Sequence, residues 1–280
     1  MTDYLSDEAV KAIAANRNRP FFMYLAYNAP HNPLQATRAD YEALGHIEDH
    51  ALRVYAAMIR ALDRGIGNVL AALREHGLED NTLVIFSSDN GGAHYIGLPG
   101  LNDPYRGWKM TFFEGVLHSP FFVKWPARIP AGTLSTAATS HIDVFATVAD
   151  AAGAALPTDR AIDGVSLLPW AMGVADGEPH EALFWRSGHY QVVQAGGWKL
   201  QRNGRMQQPW LYDLNEDPTE QANLVEIRPD KLAELAALLD RQEGELGPPG
   251  WPSIVEAVIP VDRTLADPPV PGEAYVYWPN

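Results

Sequence analysis

One stretch constrains this chain more than any other: Leu83-Val-Ile-Phe-Ser-Ser-Asp-Asn-Gly-Gly92. A short apolar run bounded by turn residues reads as a strand buried on both faces. In an open parallel sheet, ligands gather just past the carboxyl ends of such strands. Asp89 and Asn90 fall at that edge. Their side-chain oxygens suit a hard divalent cation, calcium or magnesium. Gly91 and Gly92 let the backbone turn and let a bound group come close. The same Asp-Asn-Gly-Gly run is also ordinary turn chemistry. Two oxygens fall short of the roughly six to eight that calcium takes, so a metal here needs ligands from elsewhere.

Upstream, Ser6 to about Asn16 reads as a short helix with Ser6 as N-cap and Val10 and Ile13 inward. Phe21-Phe-Met-Tyr-Leu-Ala26 reads as the next buried strand, and His31 follows it in a loop stiffened by Pro30 and Pro33. From about Ile47 to His76, apolar residues recur in steps of three and four: Leu52, Tyr55, Ala56, Ile59, Leu62, Ile66, Val69, Leu70, Leu73. That spacing predicts a long amphipathic helix, with Gly77 as its C-terminal cap. Strand, helix, strand is a βαβ crossover and favours a parallel sheet. If both strands belong to it, the loops bearing His31 and Asp89 share one edge.

Beyond Gly92 an irregular loop runs to Gly107, and Lys109 follows among aromatics, ahead of Glu114. Lys109 is either a surface lysine with its stem on aromatic faces or a cation offered to an anion in a partly dry pocket. Phe121 to Trp125 reads as a strand. Ser140 and Asp143 fit the N-cap and N3 positions of a helix over Val144–Ala152, and His141 reads as structural. Near Gly173 the texture changes. Ala182–Trp185, Tyr190–Gln194, Trp198–Gln201 and Trp210–Asp213 are short strands at close spacing, which predicts an antiparallel sheet. Leu232–Leu239 reads as a helix on that sheet, and the proline-rich tail from Gly247 as a surface strap.

The formal net charge of −14 argues against a nucleic-acid or anionic-membrane partner. With no cysteine, disulfides and thiolate metal sites are excluded, and redox usage does not reveal the compartment. No apolar run reaches the roughly 18 residues that span a bilayer, and the amino terminus has no signal-peptide character, so localisation stays unassigned.

Several segments taken in order resemble one family. They are Pro20-Phe-Phe-Met-Tyr-Leu-Ala-Tyr-Asn-Ala-Pro-His31, Ala61-Leu-Asp-Arg64 and Gly77-Leu-Glu-Asp-Asn-Thr through Asp89-Asn-Gly91. Lys109 with Glu114-Gly115, Asp143-Val, Ala152-Gly, Asp163-Gly-Val-Ser-Leu, and Leu211-Tyr-Asp-Leu-Asn-Glu-Asp-Pro218 with Asn223-Leu complete the set. To about residue 240 the chain resembles the carboxyl-terminal half of a sulfatase, in the alkaline phosphatase superfamily. The resemblance implies an α/β fold: a mostly parallel sheet with flanking helices over 1–175, then a small antiparallel sheet with a helix over 176–280. It implies that Asp89 and Asn90 are ligands of Ca2+ (or Mg2+), and that His31 and Lys109 bind the sulfate-ester substrate and assist the leaving oxygen.

The chain also departs from that family. It has neither a cysteine nor a Ser-x-Pro/Ala-x-Arg motif from which the family's formylglycine is made, and the aspartates completing the metal shell are missing. Glu114-Gly-Val-Leu-His118 stands where the family has Glu-Gly-Gly-x-Arg, which leaves the role of His118 open, as it is for His94 and His189. The expectation is a sulfatase part whose formylglycine lies in an amino-terminal half supplied elsewhere, on a second chain for example, and which is inactive alone. A phosphodiesterase or phosphonate hydrolase of the same superfamily, or a non-catalytic scaffold, is the alternative.

Overall fold

The computed structural model describes residues 1–204, 206–247, 250, 256–271, 273 and 275–279. In chain order the elements are α1 (Thr2–Asn16), α2 (Arg38–Glu42), α3 (His50–Glu75), β1 (Val84–Ser87), α4 (Glu114–Leu117), β2 (Phe121–Lys124) and α5 (Asp143–Ala151). There follow α6 (Leu168–Ala171), β3 (Leu183–Ser187), β4 (Tyr190–Ala195), β5 (Trp198–Asn203), β6 (Trp210–Asp213), α7 (Pro229–Leu246), β7 (Glu256–Pro260) and β8 (Tyr275–Pro279). Strands β1 and β2 form a two-stranded sheet, β3 to β6 a four-stranded one in sequential order, and β7 pairs with β8. Two compact units result: Met1–Ile85 with Val123–Gly132, and Phe86–Phe122 with Thr133–Asn280.

In the first unit, α3 starts at Asp49, whose carboxylate accepts the Leu52 N–H at 2.7 Å. It ends where Gly77 takes φ 66°, a left-handed conformation that glycine adopts without a Cβ penalty. Its buried residues are Ala57, Met58, Ala61, Gly65, Ala72 and Leu73, while Leu52 and Ile59 stay exposed. The expected apolar stripe is thus rotated. The cause is close approach: a Cβ on Gly65 would lie 2.2 Å from the Ser6 hydroxyl of α1, so the small-residue face is the one that packs. Ser6 is not the N-cap of α1. The helix begins four residues earlier, and the Ser6 hydroxyl donates to the Thr2 carbonyl at 2.9 Å and meets the Tyr27 hydroxyl at 2.9 Å. The motif residue Arg64 is structural: it binds Asp3 and the buried Asp40.

The expected strand Phe21–Ala26 is not part of any sheet among the described residues. It is extended, and Phe21 and Met23 pack against the core of Ile13, Ala72 and Leu73. The alternate residues face out, Phe22 at 73% exposure and Tyr24 at 84%. The side-chain alternation of a strand is present, but no neighbouring strand among the described residues completes the ladder. β1 is likewise half-buried along its length rather than covered on both faces.

In the second unit the antiparallel sheet stands where the short apolar segments predict it. Gly196 and Gly197, at φ 56° and 77°, make the two-residue turn that joins β4 to β5, a turn requiring positive φ at both positions. One sheet face packs Val193, Leu200 and Leu211 against Leu235 and Leu239 of α7. The other packs Tyr190, Val192 and Tyr212 against Phe113, Ile259 and Val261. Ile259 and Val261 therefore correct the expectation of a surface strap, because apolar residues on this side bury the tail into the core. The tail's residues 248–249 and 251–255 lie outside the described residues. At α5 the N-cap is Ile142 rather than Ser140, so Asp143 is the first helical residue and not N3; its carboxylate still accepts the Ser140 N–H at 2.8 Å. Asp143 is fully buried and also binds His180 at 2.7 Å.

Candidate active site

Asp89 and Asn90 follow β1 directly. The Asp89 carboxylate is exposed and has no hydrogen-bond partner among the described residues. The Asn90 amide donates to the Gly91 carbonyl at 3.0 Å, which leaves its Oδ1 open. Both oxygens are therefore available as hard donors. No group of three or more His, Asp or Glu side chains placed to hold a metal occurs among the described residues. The donor chemistry fits calcium or magnesium; the donor count does not make a shell.

The segment 102–118 is locked onto this loop. The Gly91 N–H donates to the Val116 carbonyl at 3.2 Å, and the Lys109 N–H to the Gly92 carbonyl at 2.9 Å. Gly91 is forced by contact: a Cβ there would lie 1.8 Å from the Gly115 carbonyl oxygen. Asn102 ties the two together. Its Oδ1 accepts the Gly92 N–H at 2.7 Å, and its Nδ2 donates to the carbonyls of Gly92 at 3.2 Å and Gly107 at 2.9 Å. Replacing Asn102 by alanine strands these groups, so Asn102→Ala is expected to cost about 1–3 kcal/mol. An unchanged urea midpoint would show that Asn102 does not hold the loops.

Lys109 emerges from this framework half-buried, and its ammonium has no ion pair or hydrogen bond among the described residues. The next residue, Met110, sits at φ 80°, a costly conformation for a side chain with a Cβ. The structure thus brings Asp89, Asn90 and Lys109 into one interlocked pair of loops. His31 falls in the first unit, exposed, with its Nδ1 at 2.7 Å from the Asn32 carbonyl. A carbonyl only accepts, so Nδ1 carries the proton of that bond and Nε2 is the open nitrogen.

Beneath the segment lies a charged cluster that inspection of the chain did not single out. Lys199 of β5 is fully buried and binds Glu114 at 2.8 Å and Glu220 at 2.9 Å. The Glu114 backbone N–H donates to the other Glu220 oxygen. Burial pushes the Glu114 carboxyl up, but the Lys199 ammonium and the His118 hydrogen bond outweigh it and hold it at about 2. Burial pushes Glu220 up, against the pull of Lys199. Burial alone would lower Lys199; its two carboxylates raise it instead.

The motif Asp213-Leu-Asn-Glu-Asp-Pro218 serves this cluster. Asp217 accepts the Ala222 N–H at 2.8 Å and so folds the turn that delivers Glu220 at φ 57°. Of the remaining histidines, His94 is buried and lowered by burial and then by Arg263. His189 lines a cleft of about 290 Å3 whose Arg186 and Arg202 already face Glu243.

A family model described as Sulfatase matches residues 1–154, and one described as N-sulphoglucosamine sulphohydrolase, C-terminal, matches residues 106–245. An uncharacterized sulfatase, YdeN of Escherichia coli (strain K12), is 36% identical over 188 residues, 66% of this chain and 33% of its own. Steryl-sulfatase of Rattus norvegicus is 36% identical over 225 residues, 78% of this chain and 37% of its own. The crystal structure of Ps i-CgsB in complex with k-i-k-neocarrahexaose superposes with a TM-score of 0.81 at 31% identity, covering 89% of this chain and 56% of that one. The chain thus spans about a third of the length of these curated relatives. No helix among the described residues is long and apolar enough to cross a membrane.

Proposed function

Because the chain belongs to the sulfatase family, we propose that it is the part of a sulfuric ester hydrolase that presents Lys109, His31, Asp89 and Asn90 to a sulfate ester. The observation that carries this reading is the half-buried Lys109 ammonium, without a partner among the described residues, on a loop locked to Asp89 and Asn90. Hydrolysis breaks a sulfur–oxygen bond, and the departing oxygen gathers negative charge. A fixed cation there is already oriented when the charge appears, so little reorganisation is needed. Lys109 holds the sulfate oxygens. His31, with Nε2 open, binds them too and in its protonated form gives a proton to the leaving oxygen.

Asp89 Oδ and Asn90 Oδ1 are the atoms that would hold a calcium or magnesium ion, whose chemistry is Lewis-acid polarisation of the sulfate. A formylglycine has no residue here that fits it, since there is no cysteine and no serine in the required motif. We assign the nucleophile and the remaining metal ligands to polypeptide outside these 280 residues. Two observations support that assignment. The matched part of the chain covers only about a third of the relatives' length, and the extended segment 21–27 makes no backbone hydrogen bond among the described residues while exposing Phe22 and Tyr24. An open row of N–H and C=O groups beside apolar side chains is what an added strand covers.

The test is an aryl sulfatase assay on this chain co-expressed with a polypeptide bearing the Cys/Ser-x-Pro/Ala-x-Arg motif. Lys109→Ala should lower kcat about 10²- to 10³-fold, as loss of one transition-state donor does. A rise in KM at constant kcat would make Lys109 a ground-state contact and overturn its role. Faster turnover of a phosphonate or phosphate diester than of the sulfate would move the assignment to that branch of the superfamily.

A further inference from the structure

We propose that His118 is a positioning residue: its imidazolium closes the buried Glu114–Lys199–Glu220 network and thereby holds the loop that carries Lys109. The cluster has two carboxylates and one ammonium, so with both carboxylates ionised one negative charge is unbalanced. Lys199 and Glu220 are each 0% exposed, and water cannot balance it there. Lys199 takes one oxygen of Glu114; His118 Nδ1 stands 3.3 Å from the other. The His118 side chain is 57% exposed, so it can exchange protons with solvent while touching the buried set.

The ring does more than balance charge. It stacks on Tyr105 with centroids 4.4 Å apart and planes 19° apart, and its Nε2 lies 3.5 Å from the Tyr105 hydroxyl. The Tyr105 N–H donates to the Asn102 carbonyl at 2.9 Å, and Asn102 is the residue that pins Gly92 and Gly107. His118 therefore grips the loop from both ends, through Glu114 on one side and Tyr105 on the other. Two backbone strains sit in the same small region, Met110 and Glu220, both at positive φ. Residues in such conformations persist only where their surroundings over-determine them. A weakened network leaves that strain free to relax.

The groups facing His118 are Glu114 from α4, Tyr105 from the loop and Lys199 from β5. Behind them Glu220 is approached by Arg106, which donates to its backbone carbonyl at 3.0 Å and is itself paired with Asp262. The hydrogen bond to Glu114 raises His118 above its ordinary value, against burial and the Lys199 charge. A raised folded value means that the stabilisation is complete below the ordinary histidine range. It fades as pH climbs through the folded value. The loop is thus held most firmly below the ordinary histidine range and loosened in alkali.

Amide hydrogen exchange on the 280-residue chain tests this without requiring catalysis, so its outcome is separate from that of the hydrolase reading. Protection, corrected for the intrinsic rate, is read at Gly91, Tyr105, Lys109 and Gly115 at pH 6 and pH 9. In wild type it should fall severalfold between the two, by a factor set by how far the folded environment raises His118. His118→Gln should be open at both values, and His118→Arg protected at both. Equal protection at both values in wild type would overturn the proposal. A pH dependence that survives in His118→Gln, or an arginine variant as open as the glutamine one, would overturn it equally.

Discussion

Lys199→Met is expected to destabilise the protein by about 3–5 kcal/mol at pH 7, the usual cost of removing one partner from a buried ion pair. Methionine fills much the same space and carries no charge. What it leaves is the difficulty: Glu114 and Glu220 would face each other from buried positions without the ammonium between them. Their hydrogen bonds from the Glu114 N–H, Gln201 and His118 cannot replace a full positive charge. The pH dependence gives the effect a signature. In wild type Glu114 is held down at about 2, so its contribution is present above the ordinary carboxylate range and is lost as pH falls toward 2. Glu220 has the opposite sign: raised by burial, it costs stability once pH passes its folded value. In the variant both carboxyls rise, so its deficit should shrink between pH 7 and pH 4. Adding Glu114→Gln and Glu220→Gln to Lys199→Met should recover much of the loss, since neutral partners no longer repel. Urea unfolding followed by tryptophan fluorescence measures all of these. A Lys199→Met protein within about 1 kcal/mol of wild type at pH 7 would mean that the cluster adds nothing net to stability.

Lys199 also marks where reading the chain alone stops. In Trp198-Lys-Leu-Gln201 the alternation puts Lys199 and Gln201 on one strand face and Trp198 and Leu200 on the other. Polar alternation in an antiparallel sheet ordinarily means one face in water. Here both faces are covered, by α7 on one side and by Phe113, Ile259 and Val261 on the other. Only long-range packing reveals that the polar face is dry. The four strands themselves were legible, because apolar segments and paired glycines such as Gly196-Gly197 are local signals. Asp89 and Asn90 at the end of β1 were legible for the same reason. The partnership of Asn102 with Gly92 was not, because it joins residues ten apart through a loop without periodicity. Phe21–Ala26 shows the converse failure. Its near-continuous apolar run reads as a strand covered on both faces, whereas one side is open and carries Phe22 and Tyr24.

The 280-residue chain on its own is expected to hydrolyse no aryl sulfate above the buffer rate, even with millimolar calcium. The reasons lie in its own residues. Ester cleavage by this family's route needs a nucleophile, and the chain has no cysteine and no serine in the sequence context from which one is made. Asp89 and Asn90 offer two donor atoms, against the roughly six to eight that calcium takes, so calorimetry should find only weak binding. In the role proposed for it, Lys109 would orient a sulfate and stabilise its charge, but electrostatic stabilisation with nothing to attack the sulfur leaves the ester intact. The exposed Phe22 and Tyr24, beside a backbone without a ladder partner among the described residues, should make the isolated chain self-associate. Co-expression with the polypeptide that bears the nucleophile motif should suppress that association and switch on turnover, because that polypeptide would supply both a ladder partner for segment 21–27 and the missing nucleophile. Sedimentation velocity and an aryl sulfate assay on the same preparations read both. Turnover by the single chain that survives stringent purification and disappears in Asp89→Ala would defeat this account, and would require a nucleophile among the residues already present.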